Sequence, residues 1–475
     1  MPKLVAKNIF LLIMSLLFYG YGEPKFLYIM LLSVLINWLI GLAINQFRTR
    51  TILPKALLAF MVVYNIGILF VYKYLNSIIS NVNSIFDTDW PHPTLFLPIG
   101  ISFFTFQAMS YVIDVYRGVA PVQKNFFNTA LYICLFPPLI AGPIVRYTSI
   151  MDQLTDRKFR FDDFSCGIKR FIIGLSKKLI IANLIAVVVD QAYSASDVGS
   201  LSILMAWFGA FAYLIQLYFD FSGYSDMAIG LSRMFGFKLN ENFNYPYISK
   251  SIVEYWSRWH ISLSTWFRDY LYFPVFRTLQ SRKNPLTGKR FSIRTCDFTA
   301  LFVVWICCGT WHGAGIKYPL FGLYWFVFIV IERLVEEHLK KRRKQLKLQK
   351  KKSSAGIRAL QHVYTIFVVL IGQVIFRANG LREAVRYLLV MFGVSGSATA
   401  VFDEKTLFLI QDNWVLLIIA VIACCPVLKV LEKRFTGNAA IALELVGNLL
   451  LMILFLVCVS YTVNNSYNPF IYFNF

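Results

Sequence analysis

Long apolar blocks alternate with short basic stretches along almost the whole of this 475-residue chain. With soft ends, the blocks cover residues 8–21, 26–45, 56–75, 94–115, 126–145, 171–192, 201–220, 297–311, 319–335, 358–377, 406–428 and 440–463. Most approach the roughly 20 residues that carry a helix across a bilayer. None has the apolar/polar alternation over about ten residues that a barrel strand requires. The pattern predicts an all-α, polytopic integral membrane protein with about 11–13 transmembrane or re-entrant helices.

Two blocks are broken by Gly and Pro: Pro98-Ile99-Gly100 in one, and Pro137-Pro138 followed by Ala141-Gly142-Pro143 in the other. Irregular backbone at membrane depth persists only where protein buries it or where it lines a watery cavity. At least one of these blocks is therefore expected to be re-entrant. At the N-terminus, Lys3 and Lys7 precede FLLIMSLLFYGYG, an arrangement that imitates a signal peptide. A small-residue cleavage site is missing and another apolar block follows at once, so a retained first span is expected. No internal repeat or soluble domain is visible. Residues 1–475 read as a single membrane domain with a polar cytoplasmic or interfacial insertion at about 221–296.

Composition agrees with the pattern: 57% of residues are hydrophobic, 17% aromatic and only 15% charged. A soluble chain of this length would need more charge to cover its surface. The net charge of +22 would suit a nucleic-acid partner, but the basic residues lie in loops between apolar blocks, as the positive-inside bias dictates. No nucleic acid is therefore inferred. Loop charge also orients the chain. Arg48, Arg50 and Lys55, the 146–170 stretch, the 221–296 segment and the loop around Lys340–Lys352 are assigned to the cytoplasm, the last also within reach of anionic lipid. The 76–93 loop carries Asp87 and Asp89 without Lys or Arg and is assigned outside. Arg377, Arg382 and Arg386 follow a span that should run outward, so orientation is least determined in the last third. Eight cysteines lie mostly in or beside apolar segments, with no CxxC and no His/Cys spacing for zinc. Neither a disulfide framework nor a metal is inferred.

Ionisable groups at membrane depth are costly, which makes each a candidate for function. Of five histidines, His92, His338 and His362 fall in loops or near span ends. His312 closes an apolar run in Cys308-Gly309-Thr310-Trp311-His312-Gly313-Ala314-Gly315, where small residues permit close approach. Desolvation would keep its imidazole neutral and able to accept a hydroxyl proton, with Trp311 as an apolar wall or a single N–H donor. A histidine bonded to a neighbouring helix fits the same residues equally well.

His260 lies in a segment from Glu254 to Pro274 that, at helical period, puts Trp256, Trp259, Leu263, Trp266, Phe267 and Tyr270 on one broad face. Arg258, Ser262, Thr265 and Asp269 gather opposite, and His260, Ser264 and Arg268 run along a flank. An amphipathic helix lying at the cytoplasmic interface is expected. Anchoring alone explains the two faces; the flank has the chemistry to hold a phosphorylated or thioester donor. A third cluster, Asp220-Phe221-Ser222-Gly223-Tyr224-Ser225-Asp226, sits where a span is expected to end, as a helix cap or an orienting carboxylate. No G-x-S-x-G, H-E-x-x-H, P-loop or G-x-G-x-x-G is present.

These residues carry a resemblance. Trp311-His312-Gly313 at the end of an apolar block, preceded by Arg258-Trp259-His260-Ile261-Ser262-Leu263-Ser264-Thr265-Trp266-Phe267-Arg268-Asp269, resembles the membrane-bound O-acyltransferase family, in its bacterial polysaccharide branch associated with alginate O-acetylation. The segments 98–107, 114–118, 141–144 and 220–226 and the terminal 468–473 match that branch in order, so the likeness covers nearly the whole chain. It implies helices ringed around a tunnel that joins the two membrane faces, His312 as the catalytic histidine and His260 as a second one on the cytoplasmic side. Trp311, Arg258, Ser264, Arg268, Asp269, Asp220 and Asp226 are the candidate substrate-binding residues.

The resemblance further implies an enzyme of a bacterial cytoplasmic membrane. It would take an acyl group, acetyl in first place, from a cytoplasmic thioester such as acetyl-CoA, with no bound cofactor. The group would pass to hydroxyls of an exported or cell-wall polysaccharide, directly or through an extracytoplasmic esterase-like acetyltransferase partner. Two alternatives stay open. A transporter or channel for a polymer or lipid precursor would share the broken spans and buried polar groups. The same chemistry could instead serve peptidoglycan, teichoic acid D-alanylation or a lipid.

Overall fold

The structure is a computed structural model that describes residues 3–193, 201–283, 285, 287–347, 354–394, 398, 400–464 and 470. It is helical: an isolated bridge between Lys283 and Arg290 is the only sheet-like pairing among the described residues. Among the described residues ten helices are long and apolar enough to cross a membrane, which makes this a multi-pass membrane protein. Parts of the basic loop (348–352) and of the terminal motif (468–473, apart from residue 470) lie outside the described residues.

The chain divides into two compact units. The first comprises Met1–Gly174 and Tyr224–Glu241. Its helix Ile101–Arg117 is buried at fifteen of seventeen positions, among them Gln107, Ser110 and Asp114. Leu27–Gln46 and Leu53–Phe86 pack on that helix and are tied to each other by a reciprocal amide pair: Asn37 Nδ2 donates to Asn65 Oδ1 (3.2 Å), and Asn65 Nδ2 to Asn37 Oδ1 (2.9 Å). Such pairing satisfies polar groups that neither core nor lipid would solvate.

The blocks expected at 94–115 and 126–145 are not helical over their whole length. In the first, helix starts only at Ile101, after Gly100 in the left-handed region (φ 76°). The second breaks into Phe126–Cys134 and the single turn Phe136–Leu139. Pro137 and Pro138 lack the N–H groups that would continue a helix. The two breaks meet: a Cβ on Gly100 would lie 2.7 Å from the Leu139 carbonyl oxygen, so the irregular backbone of one block packs against that of the other.

The second unit comprises Leu175–Gly223 and Asn242–Phe475. Helix Ile293–His312 packs along Lys317–Gln345, which packs on Ala355–Arg377, and the latter on Leu381–Met391. The outer helices Glu404–Ala423 and Asn438–Asn464 bury little of their apolar length within the protein, as expected for surfaces that face lipid. The helix Ile203–Met234 gives its first part to this unit and its last part to the other. It passes through Asp220 and Asp226 without ending, so neither residue caps a span. Asp220 instead pairs with Lys178 at 2.5 Å, both side chains almost wholly buried, and Asp226 pairs with Arg170 at 2.6 Å inside the first unit. Charges at such depth stay ionised only when matched. Helix accordingly continues to Met234, past residue 221 where the polar insertion was expected to begin.

Candidate functional site

Local sequence breaks the segment around His260. Ser251 caps helix Ile252–Arg258 by accepting from the Glu254 N–H (3.0 Å), and the Glu254 carboxylate accepts from the Lys250 N–H (2.9 Å), close to a capping box. The Glu332 carboxylate, on Lys317–Gln345, accepts from the N–H groups of Ile252 (2.6 Å) and Val253 (3.0 Å). The helix then ends: Trp259 is extended, His260 is left-handed (φ 44°, ψ 54°), and a new helix runs from Ile261 to Phe267. Residues Arg268–Tyr272 form a π-helical turn before Phe273–Ser281.

The single amphipathic helix expected from Glu254 to Pro274 is therefore absent, and the aromatic face does not anchor in lipid. Trp256, Trp259, Leu263, Trp266, Phe267 and Tyr270 are all buried in protein. Trp256 sits against Trp305 (4.8 Å between ring centroids) and Trp325 (5.1 Å), and Trp259 against Phe243 (5.1 Å). The period argument failed because one left-handed residue rotates everything after it. The expected His260–Ser264–Arg268 flank is divided as well. His260 is buried, Ser264 is half-buried with its hydroxyl 3.5 Å from the Trp259 carbonyl, and Arg268 is exposed and paired with Asp269 at 2.8 Å.

His260 and His312 reach the same indole. Trp311 lies 4.8 Å from the His312 ring and 6.4 Å from the His260 ring, centroid to centroid. Around His260, Phe221 stands edge-on at 4.6 Å; around His312, Phe376 stands edge-on at 5.1 Å and Phe321 at 5.9 Å. Both imidazoles are enclosed, His260 at 1% and His312 at 5% exposure. Burial pushes the His260 pKa down to about 3, because an imidazolium loses its hydration there. That ring is neutral at working pH and can serve as an uncharged hydrogen-bonding group rather than as a fixed charge.

Close backbone packing places His312, the last residue of its helix. A Cβ on Gly309 would meet the Tyr318 carbonyl oxygen at 2.3 Å and one on Gly322 the Trp305 carbonyl oxygen at 2.0 Å, so the two helices touch where only glycine fits. Gly313, just past the histidine, lies under the Tyr318 ring. On the other side, the Lys317 ammonium donates to the carbonyls of Phe376 (3.1 Å) and Ala378, which holds the end of Ala355–Arg377 and with it the Phe376 wall.

At His260, two donors and one ring nitrogen converge on the Asn242 side chain. Asn242 Oδ1 lies 3.1 Å from His260 Nδ1 and accepts from the Ser262 N–H (3.2 Å) and the Ser262 hydroxyl (2.9 Å), while the Asn242 carbonyl accepts from the Ile261 N–H (2.9 Å).

Of the other sequence-derived candidates, Arg258 is tied to Glu254 (2.9 Å) and to the Asn244 carbonyl (3.1 Å), at the base of the same loop. Asp220 neighbours Phe221 in sequence and so stands one residue from the His260 pocket. Asp226 belongs to the first unit, where Arg170 also binds Glu241. Sequence reasoning missed Asn242, Phe221, Phe321, Phe376 and Lys178. Asn242 sits in a polar loop with no periodicity to mark it, and the phenylalanines look like any core residue. Lys178, a lysine inside an apolar block, was the one legible signal. Among the described residues no group of three or more His, Cys, Asp or Glu side chains gathers as a metal site would.

Comparison with known proteins adds the following. The family described as MBOAT, membrane-bound O-acyltransferase family, matches residues 119–367. The chain is 34% identical to a protein of Pseudomonas putida named "Probable alginate O-acetylase AlgI", over 99% of this chain and 94% of the relative. It is 31% identical to the peptidoglycan O-acetyltransferase of Helicobacter pylori, over 86% and 80% of the two chains. It is 31% identical to the teichoic acid D-alanyltransferase of Bacillus subtilis, over 51% and 60%.

Proposed function

This chain belongs to the membrane-bound O-acyltransferase family and is an acyltransferase, and from that premise we propose that it O-acetylates an exported polysaccharide. The donor is a cytoplasmic acyl thioester, acetyl-CoA in first place, and the protein sits in a bacterial cytoplasmic membrane. The acceptor hydroxyl belongs to a polymer of the alginate type, reached directly or through an extracytoplasmic esterase-like acetyltransferase. The relatives named for alginate O-acetylation, which align over most of this chain, favour this acceptor. The peptidoglycan enzyme favours a cell-wall glycan as the second reading.

One observation carries the chemistry: two buried imidazoles lie against the same indole, Trp311, inside one compact unit. His312 accepts the proton of the acceptor hydroxyl as its oxygen attacks the thioester carbonyl. The tetrahedral intermediate collapses, the C–S bond breaks, and the proton passes from His312 to the departing thiolate. His260, neutral by burial, supplies a second hydrogen-bonding nitrogen on the donor side. The aromatic walls exclude water, which would otherwise hydrolyse the thioester. Arg258, Arg268 and Asp269 border the donor approach, and Ser264 lies within the same turn. No resident cofactor is needed in this scheme.

The test measures ester-linked acetyl on secreted polysaccharide and on cell-wall glycan in wild type, a deletion strain and His312→Ala, with membrane abundance checked. Loss of acetyl from one polymer in both mutants, at unchanged polymer yield, identifies the acceptor and supports the enzyme reading. Normal acetylation of both polymers in the mutants would overturn the proposed acceptor.

A further inference from the structure

We infer that Asn242 and Ser262 are positioning residues that lock His260 in the tautomer protonated on Nδ1, so that Nε2 is the nitrogen offered to the reaction. The inference rests on the catalytic reading of His260 for its consequence, but the lock itself follows from hydrogen-bond bookkeeping. An amide side chain can be turned either way, and an imidazole can carry its proton on either nitrogen, so each usually leaves the other undetermined. Here a backbone donor removes the freedom. The Ser262 N–H can only donate, and it points at the terminal atom of Asn242 that lies 3.2 Å away. That atom must therefore be the carbonyl oxygen Oδ1. An oxygen of this kind only accepts, so the His260 Nδ1 that lies 3.1 Å from it must carry the hydrogen. In a neutral ring the second nitrogen then has the lone pair.

Geometry makes the arrangement durable. Asn242 is fully buried and Ser262 nearly so, so water does not compete for these bonds. The Ser262 hydroxyl also lies 3.5 Å from His260 Nδ1 but donates to the nearer Asn242 oxygen at 2.9 Å, and the Ile261 N–H holds the Asn242 backbone at 2.9 Å. His260 takes up a left-handed backbone (φ 44°, ψ 54°) that non-glycine residues adopt only when their surroundings insist. That conformation breaks the helix and directs Nδ1 back to the 242 loop. The local strain and the tautomer lock thus have one cause. Charge-neutral locking differs from the carboxylate-held histidine of serine hydrolases: an amide fixes the proton without stabilising an imidazolium.

The tautomer is read directly from ring 15N resonances of the full-length protein in lipid bilayers. The chain has only five histidines, so a His260→Gln sample assigns the signal by subtraction. A proton on Nδ1 and a bare Nε2 from pH 5 to 8 are expected, and Asn242→Leu should produce a mixture of tautomers. A proton on Nε2 in the wild type, or an unchanged spectrum in Asn242→Leu, overturns the lock. Kinetics with purified protein, labelled acetyl-CoA and polysaccharide from a deletion strain then test its consequence. Asn242→Leu should lower kcat about ten- to a hundredfold with little change in KM for acetyl-CoA, while Asn242→Asp, which can still accept both bonds, keeps the tautomer. An unaltered kcat in an Asn242→Leu protein whose tautomers are mixed overturns the positioning role. If the lock is present but the wild type transfers no acetyl to any of these polymers, the tautomer assignment stands and the proposed function falls.

Discussion

Gly309 and Gly322 face each other across the helices Ile293–His312 and Lys317–Gln345 with no room for a side chain on either: a Cβ on Gly309 would stand 2.9 Å from the Gly322 nitrogen. His312 lies one turn beyond Gly309 on the same helix, so this contact sets where the imidazole sits. Gly322→Ala would drive a methyl into the Trp305 carbonyl, and relief requires the helices to separate. A displacement of about 1 Å at a reacting group costs on the order of a hundredfold in rate. The variant should reach the membrane yet lose polysaccharide acetylation to roughly that degree. Full activity at unchanged thermal stability would show that the helix contact does not register the histidine.

His312 itself gives a larger effect. His312→Gln keeps the volume and a hydrogen-bonding end while removing the base, which typically costs about a hundred- to ten-thousand-fold. Acetyl transfer by purified protein should fall within that range, with melting behaviour close to wild type. A near-normal rate would reduce His312 to a packing residue.

The Lys178–Asp220 pair should behave as a buried ion pair does. Lys178→Met leaves a carboxylate buried beside lost charge and should destabilise by about 3–5 kcal/mol. The double variant Lys178→Met/Asp220→Asn should recover most of that loss, because no charge is then stranded. Thermal unfolding in detergent, compared across the two singles and the double, measures the coupling; additive losses would mean that the pair is not interacting as the 2.5 Å contact implies.

Burial of His260 makes stability depend on pH with a definite sign. Its pKa is lower in the folded protein (about 3) than its ordinary value near 6.5, so between those values the unfolded chain binds the additional proton. The stabilising contribution is complete above about pH 6.5 and is lost as the pH falls toward 3, amounting to about 2 kcal/mol between pH 6.5 and 5. The unfolding midpoint of wild type should drop over that interval more than the midpoint of His260→Gln. Parallel curves for the two proteins would contradict it.

Much of this molecule was written in the order of its residues. Block length and missing charge set the membrane class and most of the spans, because the bilayer imposes a single length scale on every crossing helix. The Gly and Pro interruptions at 98–100 and 137–143 marked the two blocks whose helices are broken or start late, since a missing N–H or a left-handed turn is a local property of one residue. The ordered motifs around His260 and His312 identified the family. The interior of the site was not legible in the same way. One left-handed residue at 260 undid a helical projection over 21 positions, and no periodicity could anticipate it, because its hydrogen-bond partner Asn242 lies 18 residues upstream. The arrival of His260 at Trp311, 51 residues away in sequence, depends on glycine contacts and aromatic packing between helices. Local patterns record which face of an element is apolar; which face meets which is decided only when the elements compete for the same space.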